Sequence, residues 1–88
     1  MSTQYVAVIE KEPDSAFGVW FPDIEGCFSA GDTLDEAVAN AAAALRQHTK
    51  AFESAGRHLF FAARTVDDVL RDKDVRAALK AGAVLVAV

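Results

Sequence analysis

Thr33-Leu34-Asp35-Glu36 decides the fold, because it marks where one long helix begins. The Thr33 hydroxyl is placed to accept from the Glu36 amide, and the Glu36 carboxylate reaches back across the turn, which makes a capping box. Beyond it Leu34, Ala37, Val38, Ala41, Leu45, His48 and Phe52 recur at spacings of three and four. That is the stripe of a helix that buries one face. Asp35, Glu36, Asn40, Arg46, Gln47, Lys50 and Glu53 fall on the other side, and Gly56 is a natural stop. The spacing predicts a helix over roughly 33–55.

Upstream the pattern changes from helical to extended. Tyr5-Val6-Ala7-Val8-Ile9 is apolar on both alternating sets, as in a central strand covered on both faces. Pro13, Asp14 and Ser15 supply turn chemistry, and Phe17-Gly18-Val19-Trp20-Phe21 returns as the second arm of a hairpin. Pro22 offers no amide proton to a ladder and stops it. Residues 26–30, GCFSA, form a short third strand leading through Gly31-Asp32 to the helix cap.

Downstream of the helix, residues 57–64 are expected to form an ordered connection packed on the sheet. Thr65-Val66-Asp67-Asp68 repeats the cap logic, opening a short helix through Leu70 and a second piece near 74–80 that Gly82 ends. Residues 83–88, AVLVAV, form the last strand. The expected class is therefore α+β, a β-β-β-α-β hairpin meander with one long helix packed on the sheet. One right-handed crossover would lay the last strand parallel to the first, in sheet order 3-2-1-4. That leaves Val84, Leu85, Val86 and Val88 along an edge without charge or proline, a candidate surface for self-association into a dimer or tetramer.

Composition narrows the function. Eighty-eight residues make one small domain, and 52% hydrophobic with 25% charged residues argues for a folded core. No apolar run approaches the roughly 20 residues of a membrane span, and no basic-then-apolar signal peptide opens the chain. A single cysteine builds neither a disulfide framework nor a zinc site, which fits the cytoplasm. Net charge −4 disfavours direct nucleic-acid binding. The charge is also uneven: residues 10–36 hold eight acids against Lys11, net −7, while the remainder holds five acids and eight bases, net +3. One reading is solvated loops plus a helix N-terminus that favours acids. The other is a surface for a basic protein partner, with Glu10, Glu12, Asp14, Asp23 and Glu25 as candidates. On that second reading, reversing Asp23 and Glu25 to Lys would leave stability nearly unchanged.

Chemistry-bearing residues are few. His48 sits on the apolar stripe, where a structural histidine is the expectation, and His58 has no acid or cysteine at ligand spacing. Cys27 beside Phe28 reads as a buried small hydrophobe. A metal-dependent nuclease would need acids projecting from adjacent strands and the helix. Tyr5–Ile9 holds none, and Asp35 and Glu36 are explained by the helix start, so no catalytic residue, metal or cofactor is expected.

The string Phe21-Pro22-Asp23-Ile24-Glu25-Gly26-Cys27, followed by Gly31, Thr33, Glu36 and Ala37, resembles the signature of HicB-type antitoxins. The resemblance covers the whole chain in element order and is loose after Gly56. It implies a degenerate ribonuclease-H-like fold without catalysis, and a role in neutralising a small basic HicA-type toxin that cleaves mRNA. Full antitoxins of that family commonly carry a C-terminal DNA-binding segment. In this chain a single HicB-like domain over 1–88 and no such segment are expected. The alternative is a stand-alone HicB-fold oligomeric protein with another ligand.

Overall fold

A computed structural model describes residues 4–11, 13–56 and 63–88. The elements run β1 (Val6–Lys11), β2 (Phe17–Trp20), β3 (Phe28–Gly31), α1 (Leu34–Ser54), α2 (Val66–Val69), α3 (Lys73–Lys80) and β4 (Val84–Ala87). The capping box forms: the Glu36 amide donates to Thr33 Oγ1 at 3.1 Å, and Glu36 Oε2 accepts from the Asp32 amide at 3.1 Å. Thr65 Oγ1 caps α2 and Asp72 Oδ1 caps α3 in the same manner. Asp14 turns the β1–β2 hairpin at φ 58, a left-handed conformation that Asp tolerates.

The sheet order is β3-β2-β1-β4, as the sequence predicts. The direction of β4 is not. It pairs antiparallel to β1, with Val6 opposite Ala87 and Ile9 opposite Val84, and Tyr5 and Val88 exchange amide bonds at 3.0 and 2.8 Å. All strand pairs are antiparallel, so the parallel last strand expected from one crossover is corrected. The cause is a second traverse. Helix α1 leaves the Gly31 end of the sheet, and the chain reappears at Arg64, bonded to Asp23 in the β2–β3 connection at the opposite end. Then α2 and α3 carry it back along the other face, so β4 starts beside Ile9. Two traverses reverse the direction that one would have given.

The second traverse follows from β1 itself. Val6, Ala7, Val8 and Ile9 are all buried, and both of their faces need a cover. Ala7 and Ile9 join Val19, Phe21, Ile24, Cys27, Ala37 and Ala41 under α1. Val6 and Val8 join Val69, Val75 and Ala78 under α2 and α3. Fully burying a side chain such as Ile9 or Ile24 stabilises by roughly 1.5–3 kcal/mol. The α1 layer sits very close to β3: a methyl carbon on Gly31 would fall 2.7 Å from the Glu36 carbonyl carbon and 2.8 Å from Ala37 Cα. Asn40 Nδ2 ties the two together by donating to the Ala30 carbonyl at 2.8 Å.

Candidate partner-binding surface

The expected partner-binding acids do not form one face. Lys11 pairs with Phe17 and Phe17 with Gly31, so Asp14 in the hairpin turn shares an end of the sheet with Asp32, Asp35 and Glu36. Asp23 and Glu25 lie at the opposite end, in the β2–β3 connection, and Glu12 lies outside the described residues. Three acids have internal work. Glu36 caps α1, Glu10 Oε2 accepts from the Trp20 indole N–H at 2.9 Å, and Asp23 binds Arg64.

Asp23 corrects a sequence expectation. Its side chain is 6% exposed and accepts the Arg64 backbone amide at 2.8 Å as well as the Arg64 Nε. Arg64 continues to Asp72 Oδ2 at 3.3 Å, which links the β2–β3 connection to the α3 cap. The bond to Asp23 raises the Arg64 pKa above its usual value; desolvation lowers it, and Asp72 adds to the rise. Asp72 is pushed up by desolvation. Amide bonds from Asp74 and Val75 and the Arg64 pairing more than offset this, leaving its carboxyl below the ordinary range. Asp23 is thus a latch across the fold, not a free docking charge, and reversing it would break the latch. Arg64 was missed in the sequence because it stands 41 residues from Asp23, with no local pattern connecting them.

Glu25 is exposed. It lines a surface depression of about 360 Å³ together with Trp20, Pro22, Gly26 and Phe28. Phe28 is 70% exposed, and the register aligns Phe28, Trp20, Val8 and Leu85 across the sheet on the face that α2 and α3 partly cover. Lys73, Arg76 and Lys80 of α3, with Arg71 just ahead of its cap, are exposed and surround a second depression of about 310 Å³.

The other singled-out residues have structural settings. Cys27 is buried in the α1 layer, and burial pushes its thiol pKa up, which disfavours the reactive thiolate. The His48 ring lies 5.0 Å from that of Phe52, and its Nε2 is buried without a hydrogen-bond partner among the described residues. His58 lies outside the described residues. Among the described residues no three His, Cys, Asp or Glu side chains gather as a metal site, and no helix is long and apolar enough to cross a membrane. Pro22, Gly26, Gly31, Thr33 and Ala37 of the signature string serve the β2–β3 turn and the α1 junction. Gly26 adopts φ 82, and Ala37 is fully buried against Gly31. In β4, Val84 is 43% exposed and Leu85 and Val86 are half-buried, as is Val88 just past the strand.

The signature residues build the β2–β3 turn and the contacts at the start of α1. Residues 5–87 match the family described as the HicB-like antitoxin of bacterial toxin–antitoxin systems, and the chain belongs to that family. It is 29% identical to the Burkholderia pseudomallei antitoxin HicB, with TM-score 0.84 over 99% of this chain and 62% of that one. It is 28% identical to a chain of a HicA3 and HicB3 toxin-antitoxin complex, with TM-score 0.79 over 97% of this chain and 94% of that one. A 14.9 kDa protein from the rep-hol intergenic region of Haemophilus phage HP1 is 52% identical over 44 residues, which are 50% of this chain and 32% of that protein. A UPF0150 protein of Synechocystis is 42% identical over 36 residues, 41% of this chain and 46% of that protein. The matched segments thus span less than half the length of these two relatives.

Proposed function

We propose that this chain is the binding module of an antitoxin that neutralises a small, basic, mRNA-cleaving toxin of the HicA type in the cytoplasm. It acts by occlusion and catalyses nothing. The observation that carries the reading is the close structural likeness over nearly the whole chain to a protein solved within a HicA3 and HicB3 toxin-antitoxin complex. Uneven charge supports a basic partner: Asp14, Glu25, Asp32 and Asp35 are exposed and form no ion pair among the described residues. Complementary charge of this kind accelerates association more than it deepens affinity. Co-expression with the product of the adjacent small gene tests the reading. The two should co-purify, and this chain should relieve the growth arrest that the neighbour causes. Failure of both would refute it.

Self-association through β4 belongs to the same proposal. An edge strand without charge or proline presents unpaired backbone groups, and a domain of 88 residues buries only about 60–65% of its unfolded surface. Sedimentation at micromolar concentration should show a dimer or tetramer. A clean 9.4 kDa monomer would refute this part alone.

A further inference from the structure

The sheet face under α2 and α3 is covered unevenly. Val6 and Val8 of β1 are buried there by Val69, Val75 and Ala78, and Leu85 of β4 packs against the same cluster. Trp20 of β2 is covered only in part, and Phe28 at the β3 edge is 70% exposed. Trp20 and Phe28 are direct cross-strand partners, so both side chains leave the sheet on the same face at the open end of the row. The indole N–H of Trp20 is engaged by Glu10 Oε2 at 2.9 Å, which fixes the ring and sets one carboxylate beside it. Glu25 supplies a second on the wall of the adjoining depression, and no ion pair engages either Glu10 or Glu25 among the described residues. Two aromatic side chains on one sheet face, lining one depression with carboxylates beside them, form a recognisable chemistry: π-faces attract a cation, and the acids neutralise it.

We propose that this aromatic and acidic shelf, Trp20 and Phe28 with Glu10 and Glu25, receives a lysine- or arginine-bearing segment of the basic toxin; the inference rests on the toxin-binding reading above. Charge complementarity selects the occupant, since an apolar or acidic segment would leave both negative charges without a counter-charge. Exposed aromatic anchors are also the side chains that most often dominate an interface.

Trp20 is the only tryptophan, so its emission reports on the shelf directly. Two ligands are titrated into the full chain: the adjacent-gene toxin, and an acetylated hexa-arginine peptide as a chemical probe. Both should change Trp20 emission saturably. Phe28→Ala and Glu25→Lys should each weaken binding at least tenfold, with folding confirmed by circular dichroism. Glu53→Lys makes the same charge change on exposed α1, on the other face of the sheet, and should weaken binding less than threefold. Equal losses from Glu25→Lys and Glu53→Lys would reduce the effect to overall field and overturn the proposal. Wild-type toxin affinity in Phe28→Ala would overturn it too, as would conversion of an oligomer to a monomer by Phe28→Ala, which would make the shelf a self-interface. If the toxin fails to bind the unmutated chain while the peptide shows the expected variant pattern, the toxin reading fails and the cation shelf stands.

Discussion

Gly31→Ala should be among the most damaging single-methyl changes available in this protein. The added carbon would sit 2.7 Å from the Glu36 carbonyl carbon and 2.8 Å from Ala37 Cα, both in the backbone of α1. Ordinary carbon–carbon contact begins near ~3.5 Å, so the helix start must lift by roughly 0.7 Å. Lifting it strains the Thr33 cap and the 2.8 Å bond from Asn40 to the Ala30 carbonyl. Overpacking of this kind costs about 1–3 kcal/mol. The stiffer unfolded chain returns only about 0.4–1 kcal/mol. A net loss of about 1.3 kcal/mol is a sizeable part of the ~4–13 kcal/mol expected for a chain this long. It should lower Tm by roughly 5–10 °C. Gly18→Ala is the matched control: it lies on the neighbouring strand, and its nearest obstacle is the Glu10 carbonyl oxygen at 4.0 Å. Thermal and urea unfolding followed by circular dichroism should show Gly18→Ala within about 3 °C of the parent, the size of a surface change. If Gly31→Ala also stays within that range, or the two fall together, the close-approach argument is refuted.

Further outcomes follow from the latch and the buried thiol. Asp23→Lys should lower stability by about 3 kcal/mol or more, because it removes Arg64's partner and buries a like charge beside it, whereas Glu25→Lys should change stability little; urea midpoints measured for each variant alone decide this. Because the folded pKa of Asp72 is depressed, its charged form contributes stability above the unfolded carboxyl value of about 3.9 and loses it as pH falls through the folded value. Asp72→Asn should therefore be less stable than the parent at neutral pH, with the gap closing toward pH ~2; an unchanging gap would mean that the charge contributes nothing. Cys27 should react with a thiol-alkylating reagent slowly in the native state and fully in denaturant, and rapid native labelling would contradict its burial.

The candidate surface was only half legible in the residues. Glu25, flagged as a free acid, is exposed in the depression beside Trp20, but Asp23, two positions earlier and identical in charge, is a buried latch. Nothing local separates them, because the difference lies in a guanidinium arriving from 41 residues away. Phe28 was legible only as a strand residue beside Cys27. Its exposure depends on how far α2 and α3 extend across the sheet, which no short-range pattern encodes.

The sequence by itself determined the elements and the sheet order. Thr33 with Glu36, Thr65 with Asp68, and the three-and-four spacing of the α1 stripe act within one or two helical turns, and β1's two apolar sets announced a central strand. Only the tertiary structure decided the direction of β4 and the capture of Asp23 by Arg64. Both depend on the chain crossing the sheet a second time to bury Val6 and Val8. That requirement is satisfied by Val69, Val75 and Ala78, more than 60 residues further along, and contacts so distant leave no periodicity at either end to read.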